Sequence, residues 1–319
     1  MTKETTAFFN NFFDQAHDEV LVREPGKRKF SPAIKVSRLA GTLWEYAVQC
    51  ENVYIRDWKA ESDNEPLDED RVLRIPQASP EAFQTACNAK ERVLLPLPST
   101  WTMWDDFPSQ ELIIKARDKG LYVEVWEKNT DPKIISVVFR GTEFKSLRDW
   151  ITNLRWFLLF VPWHRDQYTL VAEEVGKELA TALVKRQLHD REIKLFACGH
   201  SLGGGLAQHL AYSFPAMDEQ GKFIPRLSHV YAFNPSPVTG WFSVQDKKQR
   251  DLNAADLTID RIFEHGEVLA YARLALSYVN PPSEKNPAIR ELRFNFLKSG
   301  NIIKSHTMRL MACRLIEHM

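Results

Sequence analysis

The sequence predicts an α/β fold, with a largely parallel central sheet, helices on both of its faces and an additional N-terminal helical layer. Two patterns indicate this. Short β-type runs alternate with helical patterns from residue 121 onward, and chains of that kind form parallel sheets covered on both sides. Residues 33–58 repeat apolar side chains at helical spacing well before the first of those runs. We expect a single domain over residues 1–319, with its core at about 120–319.

The N-terminal part is less regular than the rest. Phe8, Phe9, Phe12 and Phe13 share one helical face, which favours packing on the core over contact with a membrane or partner. The acidic run at 61–71 indicates a solvated loop. The proline-containing stretch 75–108 indicates an irregular surface segment.

The remaining elements follow from the period of the apolar residues. Two β-type runs, 121–127 and 134–139, flank a turn and predict a hairpin. The other predicted elements, in chain order, are a helix at 168–188, a strand at 193–198, a helix after residue 201, strands at 229–233 and 258–263, an alternating run through 292–296 and a last helix at about 307–317.

Composition excludes several classes of function. Lys plus Arg and Asp plus Glu both number 42, so no net charge favours nucleic acid, and we expect no nucleic-acid partner. The four cysteines, Cys50, Cys87, Cys198 and Cys313, are widely separated, which favours free or buried thiols over a disulfide framework and shows no zinc-ligand spacing. The cysteine pattern therefore predicts no zinc site.

The sequence contains no pattern of a signal peptide or of a membrane span. The N-terminal residues contain no continuous apolar stretch, and the longest strongly apolar run, 156–163, is too short to cross a bilayer. The expectation is a protein located in the cytoplasm or exported by a leaderless route.

The strongest chemical signal is the segment Gly199-His200-Ser201-Leu202-Gly203, which has the G-x-S-x-G spacing of a nucleophile elbow. In that motif a serine occupies a tight strand-to-helix turn, in a strained backbone conformation, so that its hydroxyl projects above the sheet edge. Side chains two positions before and after it collide across the turn, which explains the glycines. A β-type run precedes the motif and a helical pattern follows it, as the α/β-hydrolase fold requires. Ser201 is the predicted nucleophile.

A second segment fits an oxyanion hole. The predicted strand at 134–139 leads directly into Arg140-Gly141-Thr142. An oxyanion needs at least two preorganised donors. The amide of Leu202, directly after the nucleophile, is one candidate, and the amide of Thr142 is the second.

The base and the acid are predicted from chain order, which in this fold is serine, acid, histidine. His306 follows the last strand-like run and opens the last helix, whereas His209 lies in a predicted helix, His229 begins a predicted strand and His318 is next to the terminus. Glu267 lies in the turn after the predicted strand 258–263 and is the favoured acid. Glu264 and Asp260 remain alternatives, and His265 is a candidate substrate contact or supporting residue.

Three segments together resemble the class 3 lipases, the fungal-lipase-like branch of the α/β-hydrolases. They are VVFRGTEFKSLRDWITNL, GHSLGGGLA and YAFNPSPVTG, and the similarity covers roughly residues 120–310. The resemblance implies a triacylglycerol lipase, phospholipase or related esterase that uses no metal and no cofactor. It also implies Ser201 as nucleophile, Thr142 in the oxyanion hole, His306 as base and Glu267 where the family has an aspartate.

Several alternatives remain open at this stage. The apolar run 156–163 is equally consistent with a lid over the site and with a buried strand and its loop. The function is predicted as hydrolysis of lipid carboxylic esters, with lipid as partner and a possible peripheral contact with a membrane. The rivals are a leaderless phospholipase effector of the type VI kind, a thioesterase or small-ester esterase, and a catalytically inactive binding module.

Overall fold

The computed structural model describes residues 15–56, 75–141, 167–190, 192–266, 283–297 and 306–319. Their strands are β1 Glu19–Arg23, β2 Ile34–Lys35, β3 Trp101–Met103, β4 Val123–Lys128, β5 Lys133–Phe139, β6 Ile193–His200, β7 Leu227–Phe233, β8 Thr258–Glu264 and β9 Ala288–Phe294. Their α-helices are α1 Ser37–Asn52, α2 Pro80–Asn88, α3 Gln110–Asp118, α4 Gly176–Lys185, α5 Leu202–Ser213, α6 Lys247–Ala254 and α7 Met308–Glu317. A π-helical turn, Val171–Val175, leads into α4, and a 3-10 turn, Trp241–Ser243, precedes α6.

The strands form one mixed sheet of nine, in the order β2-β1-β9-β8-β7-β6-β5-β4-β3. Strands β5 to β9 are parallel, as predicted, whereas β1, β2, β3 and β4 add antiparallel pairs at the two edges. The predicted hairpin is confirmed, since β4 and β5 pair antiparallel. Because the five central strands are parallel and consecutive, their carboxyl ends meet at one edge of the sheet.

Each face of the sheet carries its own apolar core. One core packs side chains from α3, the π-helical turn, α4 and α5 against the sheet. The other packs α1, α2 and α7 against the opposite face. The predicted N-terminal helical layer is therefore present, and the last helix, α7, completes it.

The expectation of an irregular surface segment at 75–108 is wrong in part. This stretch forms α2 and β3, and it buries Leu95 and Trp104. Its prolines were misleading because Pro80 occupies the first turn of α2, where a missing N–H costs nothing. Ser79 caps the same helix by accepting a hydrogen bond from the Ala82 amide at 3.1 Å.

The expectation of free thiols is wrong for two of the four cysteines. Cys87 at the end of α2 and Cys313 in α7 form a disulfide across 226 residues of sequence. Only the packing of these two helices brings the thiols together, and cysteine spacing does not reveal that packing. Cys50 and Cys198 are free and buried, as expected. No helix within the described ranges has the length and apolar character needed to cross a membrane.

The disulfide generates a prediction about stability. Replacing both Cys87 and Cys313 with serine lowers the free energy of unfolding by about 2–4 kcal/mol, because the cross-link restricts the unfolded chain. Urea denaturation followed by tryptophan fluorescence measures this. Dithiothreitol lowers the midpoint of the wild type toward that of the double variant and leaves the variant unchanged. Equal midpoints with and without reductant would contradict the prediction.

Candidate active site

Ser201 lies on a sharp turn between β6 and α5, at the edge where the parallel strands end. Its backbone has φ 57° and ψ −121°, which is the strained conformation expected of a nucleophile elbow. The turn is held from the neighbouring strand, because the Ser201 amide donates to the Phe233 carbonyl at 2.9 Å. On the other side, the Ser236 amide donates to the Ser201 carbonyl, also at 2.9 Å. Hydrogen bonds on both sides thus stabilise a conformation that the serine alone disfavours.

The two glycines that flank the serine are needed for close approach. A Cβ on Gly199 would lie 2.3 Å from the Gly203 carbonyl carbon and oxygen, so the predicted collision across the turn is confirmed. A Cβ on Gly203 would lie 2.3 Å from the carbonyl oxygen of Phe139 at the end of β5. The start of α5 therefore rests directly against the main chain of the neighbouring strand.

His306, near the C-terminus, contacts Ser201 in the middle of the sequence. Its Nε2 atom lies 3.2 Å from the Ser201 Oγ, within hydrogen-bond distance, although the two residues are 105 positions apart. His306 precedes α7 by two residues, as predicted for the base. The structure thus brings the predicted nucleophile and the predicted base together.

Both side chains are more covered than the elbow motif suggests. Ser201 is 3% exposed and His306 is 6% exposed. The hydroxyl was expected to project above the sheet edge, but Ser201 is buried in this structure.

Leu202 is the first residue of α5, so its amide belongs to the helix turn whose N–H groups lack intrahelical acceptors. The helix dipole favours negative charge at the same point. Thr142 lies outside the described residues, as does the apolar run 156–163. Gly141, directly before Thr142, is described, and a Cβ placed on it would lie 3.2 Å from the Ser201 Cβ. The segment that leads to Thr142 therefore reaches Ser201.

The favoured acid, Glu267, also lies outside the described residues, but both alternatives can be placed. Asp260 lies inside β8 and is bound by Arg290 at 2.6 and 2.7 Å and by His229 at 3.1 Å. Burial acts to raise the pKa of Asp260, but the hydrogen bonds and positive charges of His229 and Arg290 together outweigh it, so the pKa is lowered. Asp260 is thus paired with Arg290 and His229 inside the sheet.

Glu264 lies at the end of β8, three residues before Glu267. One carboxyl oxygen accepts a hydrogen bond from the Leu297 amide at 2.9 Å, and the Glu264 amide donates to the Asn234 side chain at 3.0 Å. Burial raises the pKa of Glu264 to about 8. Glu264 is therefore a largely neutral carboxyl group at pH 7 and joins the strand ends of β7, β8 and β9.

Sequence reasoning did not assign any role to Tyr54 or His200, which also lie at the site. The Tyr54 hydroxyl lies 2.8 Å from the His200 Nδ1, and His200 Nε2 lies 2.8 Å from the His306 carbonyl oxygen. The only sequence signal for His200 is its place in the elbow motif, and none marked Tyr54. Within the described part of the chain, no group of three or more His, Cys, Asp or Glu side chains is arranged to hold a metal ion.

A strained serine at the end of a parallel strand, with an imidazole at hydrogen-bond distance, is typical of serine hydrolases built on an α/β sheet. The comparison with known families is more specific. The family model described as "Phospholipase-like: Tle-like phospholipase domain" matches residues 46–216, just over half of the chain. The chain belongs to this family, which supports an ester-hydrolysing enzyme of the lipase and phospholipase kind. No curated protein matches the chain.

The close approach at Gly203 can be tested directly. Gly203→Ala places a methyl group against the Phe139 carbonyl, and we expect a displaced elbow with labelling of Ser201 by a fluorophosphonate slowed about 100-fold. Gly41→Ala is the matched control, because a Cβ at this exposed position of α1 meets no atom within 4 Å. The control is expected to label normally and to gain about 0.5–1 kcal/mol in stability. Normal labelling of the Gly203 variant would show that the contact is dispensable.

The raised pKa of Glu264 predicts a pH dependence of stability. The pKa of the carboxyl is about 8 in the folded state and near its usual value of 4.5 in the unfolded state, so the folded state binds more protons between these values. The stabilisation is complete below about pH 4.5 and is lost as the pH rises through 8. Urea denaturation from pH 5 to 9 is expected to show this loss in the wild type and in an exposed control, Glu219→Gln, but not in Glu264→Gln. Parallel pH profiles for all three proteins would refute the assignment.

Proposed function

We propose that this protein is a serine esterase that cleaves carboxylic esters of lipids, with phospholipids as the first substrate class to test. The contact between Ser201 Oγ and His306 Nε2, at a strand-to-helix turn with positive φ, is the observation that carries the proposal. Family membership supports a lipid ester as substrate. The finer proposal, based on the sequence motifs, is a fold like that of the class 3 lipases, in a single domain over residues 1–319.

The proposed reaction begins with attack by Ser201 on the ester carbonyl. The hydroxyl proton passes to His306 Nε2 as the Oγ–carbon bond forms. The carbonyl π electrons move to the oxygen, and the amides of Leu202 and Thr142 donate hydrogen bonds to that oxyanion. Collapse of the intermediate breaks the carbon–oxygen bond to the alcohol, which leaves with the proton from His306.

The second half hydrolyses the acyl-enzyme. His306 removes a proton from water, water attacks the acyl carbon, and Ser201 leaves with that proton as the carboxylic acid is released. Glu267 is the proposed acid that orients the imidazole and stabilises its charged form. The placement of the alternatives supports this choice, because Asp260 is engaged by Arg290 and His229, and Glu264 holds the Leu297 amide.

One observation favours a more specific role, that of an exported phospholipase effector. The Cys87–Cys313 disulfide is of the kind that persists in oxidising surroundings and is rare in the reducing cytosol. The Tle-like phospholipase description of the family is consistent with that role. We therefore propose that the enzyme acts outside the cytosol, at a membrane that supplies its lipid substrate. Toxicity on directing the wild type, but not the Ser201→Ala variant, to the periplasm would support this role.

Ser201→Ala tests the nucleophile. We expect turnover of ester substrates to fall by at least about 1,000-fold with an unchanged melting temperature, because the attacking atom is removed while the turn is preserved. The substrates are a panel of esters from short to long acyl chains together with phosphatidylethanolamine and phosphatidylglycerol vesicles. Fluorophosphonate labelling with mass-spectrometric mapping identifies the modified residue in the wild type.

The outcomes separate the rival functions. Labelling at Ser201 with preference for long-chain phospholipids supports the proposal. Labelling at Ser201 with preference for short esters or thioesters indicates the small-ester enzyme instead. A folded wild type that neither labels nor hydrolyses any member of the panel indicates a binding module.

A further inference from the structure

His200 connects the nucleophile elbow with the main chain of the proposed base. It is the last residue of β6 and directly precedes Ser201, yet its side chain extends toward the N-terminal helical layer. Its ring lies beside the ring of His306, with centroids 4.9 Å apart. His200 is 6% exposed, so its two ring nitrogens depend on protein partners.

The two partners fix the protonation of the His200 ring. The His306 carbonyl oxygen can only accept, so Nε2 of His200 carries a proton and donates to it at 2.8 Å. Burial, followed by the neighbouring His306, holds the pKa of His200 well below its usual range. In the resulting neutral ring, Nδ1 has a lone pair and accepts the hydrogen bond from the Tyr54 hydroxyl at 2.8 Å.

Tyr54 is placed and protonated to serve as that donor. Burial raises the pKa of Tyr54, so the phenol keeps its proton over the whole physiological range. Tyr54 follows α1 closely, and its ring lies under the Arg92 guanidinium at 4.8 Å. The Tyr54 hydroxyl also faces the main chain at Gly141, where a Cβ would come within 2.4 Å of it.

We propose that Tyr54 and His200 form a hydrogen-bonded pair that positions His306 for proton transfer from Ser201. This inference rests on the proposed function, since it assigns supporting roles to the same site. The pair runs from the Tyr54 hydroxyl through both nitrogens of His200 to the His306 carbonyl. It thereby holds the main chain of His306, whose ring contacts Ser201.

The arrangement also maintains a neutral neighbour beside a base that becomes charged. When His306 takes the Ser201 proton, a second imidazolium at 4.9 Å would repel it. The Tyr54 hydrogen bond occupies the His200 nitrogen at which a second proton would bind. Tyr54 therefore contributes to catalysis through His200, without touching substrate.

The decisive comparison is between two substitutions at position 200. Leucine fills similar space but has no hydrogen-bonding group, whereas the amide of glutamine can donate to the His306 carbonyl. We expect His200→Leu to lower kcat and the rate of fluorophosphonate labelling about 10–100-fold, since a small displacement of the base has effects of that size. KM is expected to change little, and His200→Gln is expected to restore most of both rates.

Position 54 provides an independent measurement. Tyr54→Phe removes only the hydroxyl, and Tyr46→Phe is the matched control in the same helical layer, where Tyr46 stacks on Tyr231 at 4.3 Å. We expect the first variant to lower kcat and labelling and the second to leave both at wild-type values. If His200→Leu does not fold, this pair of variants still decides the question.

Three outcomes would overturn the inference. These are wild-type rates in folded His200→Leu, equally slow rates in the Gln and Leu variants, and equal rates in the two tyrosine variants. Failure of the proposed function looks different, because in that case the wild type itself shows no labelling at Ser201.

Discussion

The candidate site depends on how closely three stretches of main chain meet where β5, β6 and β7 end. The start of α5 touches the last carbonyl of β5, and the Ser201 amide is bound to the last carbonyl of β7. These contacts hold a serine at positive φ, a conformation that costs energy and persists only where its surroundings determine it. The parallel sheet supplies those surroundings because it aligns the strand ends at one edge.

The rest of the site comes from the face of the sheet that α1, α2 and α7 cover, opposite to the face that α5 covers. His306 is held beside Ser201 by the start of α7, and α7 is anchored to the N-terminal layer by the Cys87–Cys313 bond. Arg309 in the first turn of α7 adds a second anchor, since it donates to the Val93 carbonyl at 2.9 Å and lies 3.5 Å from the buried Glu51 carboxylate. The N-terminal helical layer thus helps to hold His306, the proposed base, beside Ser201.

The central elements of the fold and the Ser201–His306 pair could be predicted from sequence because local patterns encode them. The period of apolar residues located the parallel strands, and the G-x-S-x-G spacing located the turn with its required glycines. Strand β1 was not predicted, since its pairing with β9 joins residues 20–23 to residues 291–294. The disulfide and the Tyr54–His200 contact were missed for the same reason: each joins distant segments, and no local pattern marks such partners.

The disulfide has a topological consequence for the intact molecule. Together with the backbone from residue 87 to residue 313, it closes a covalent ring that contains Ser201, His306 and most of the sheet. A single cut by a protease anywhere inside this ring leaves the two resulting pieces joined through sulfur. A chain cut once between residues 87 and 313 therefore stays covalently joined, and its two fragments separate only after the disulfide is reduced.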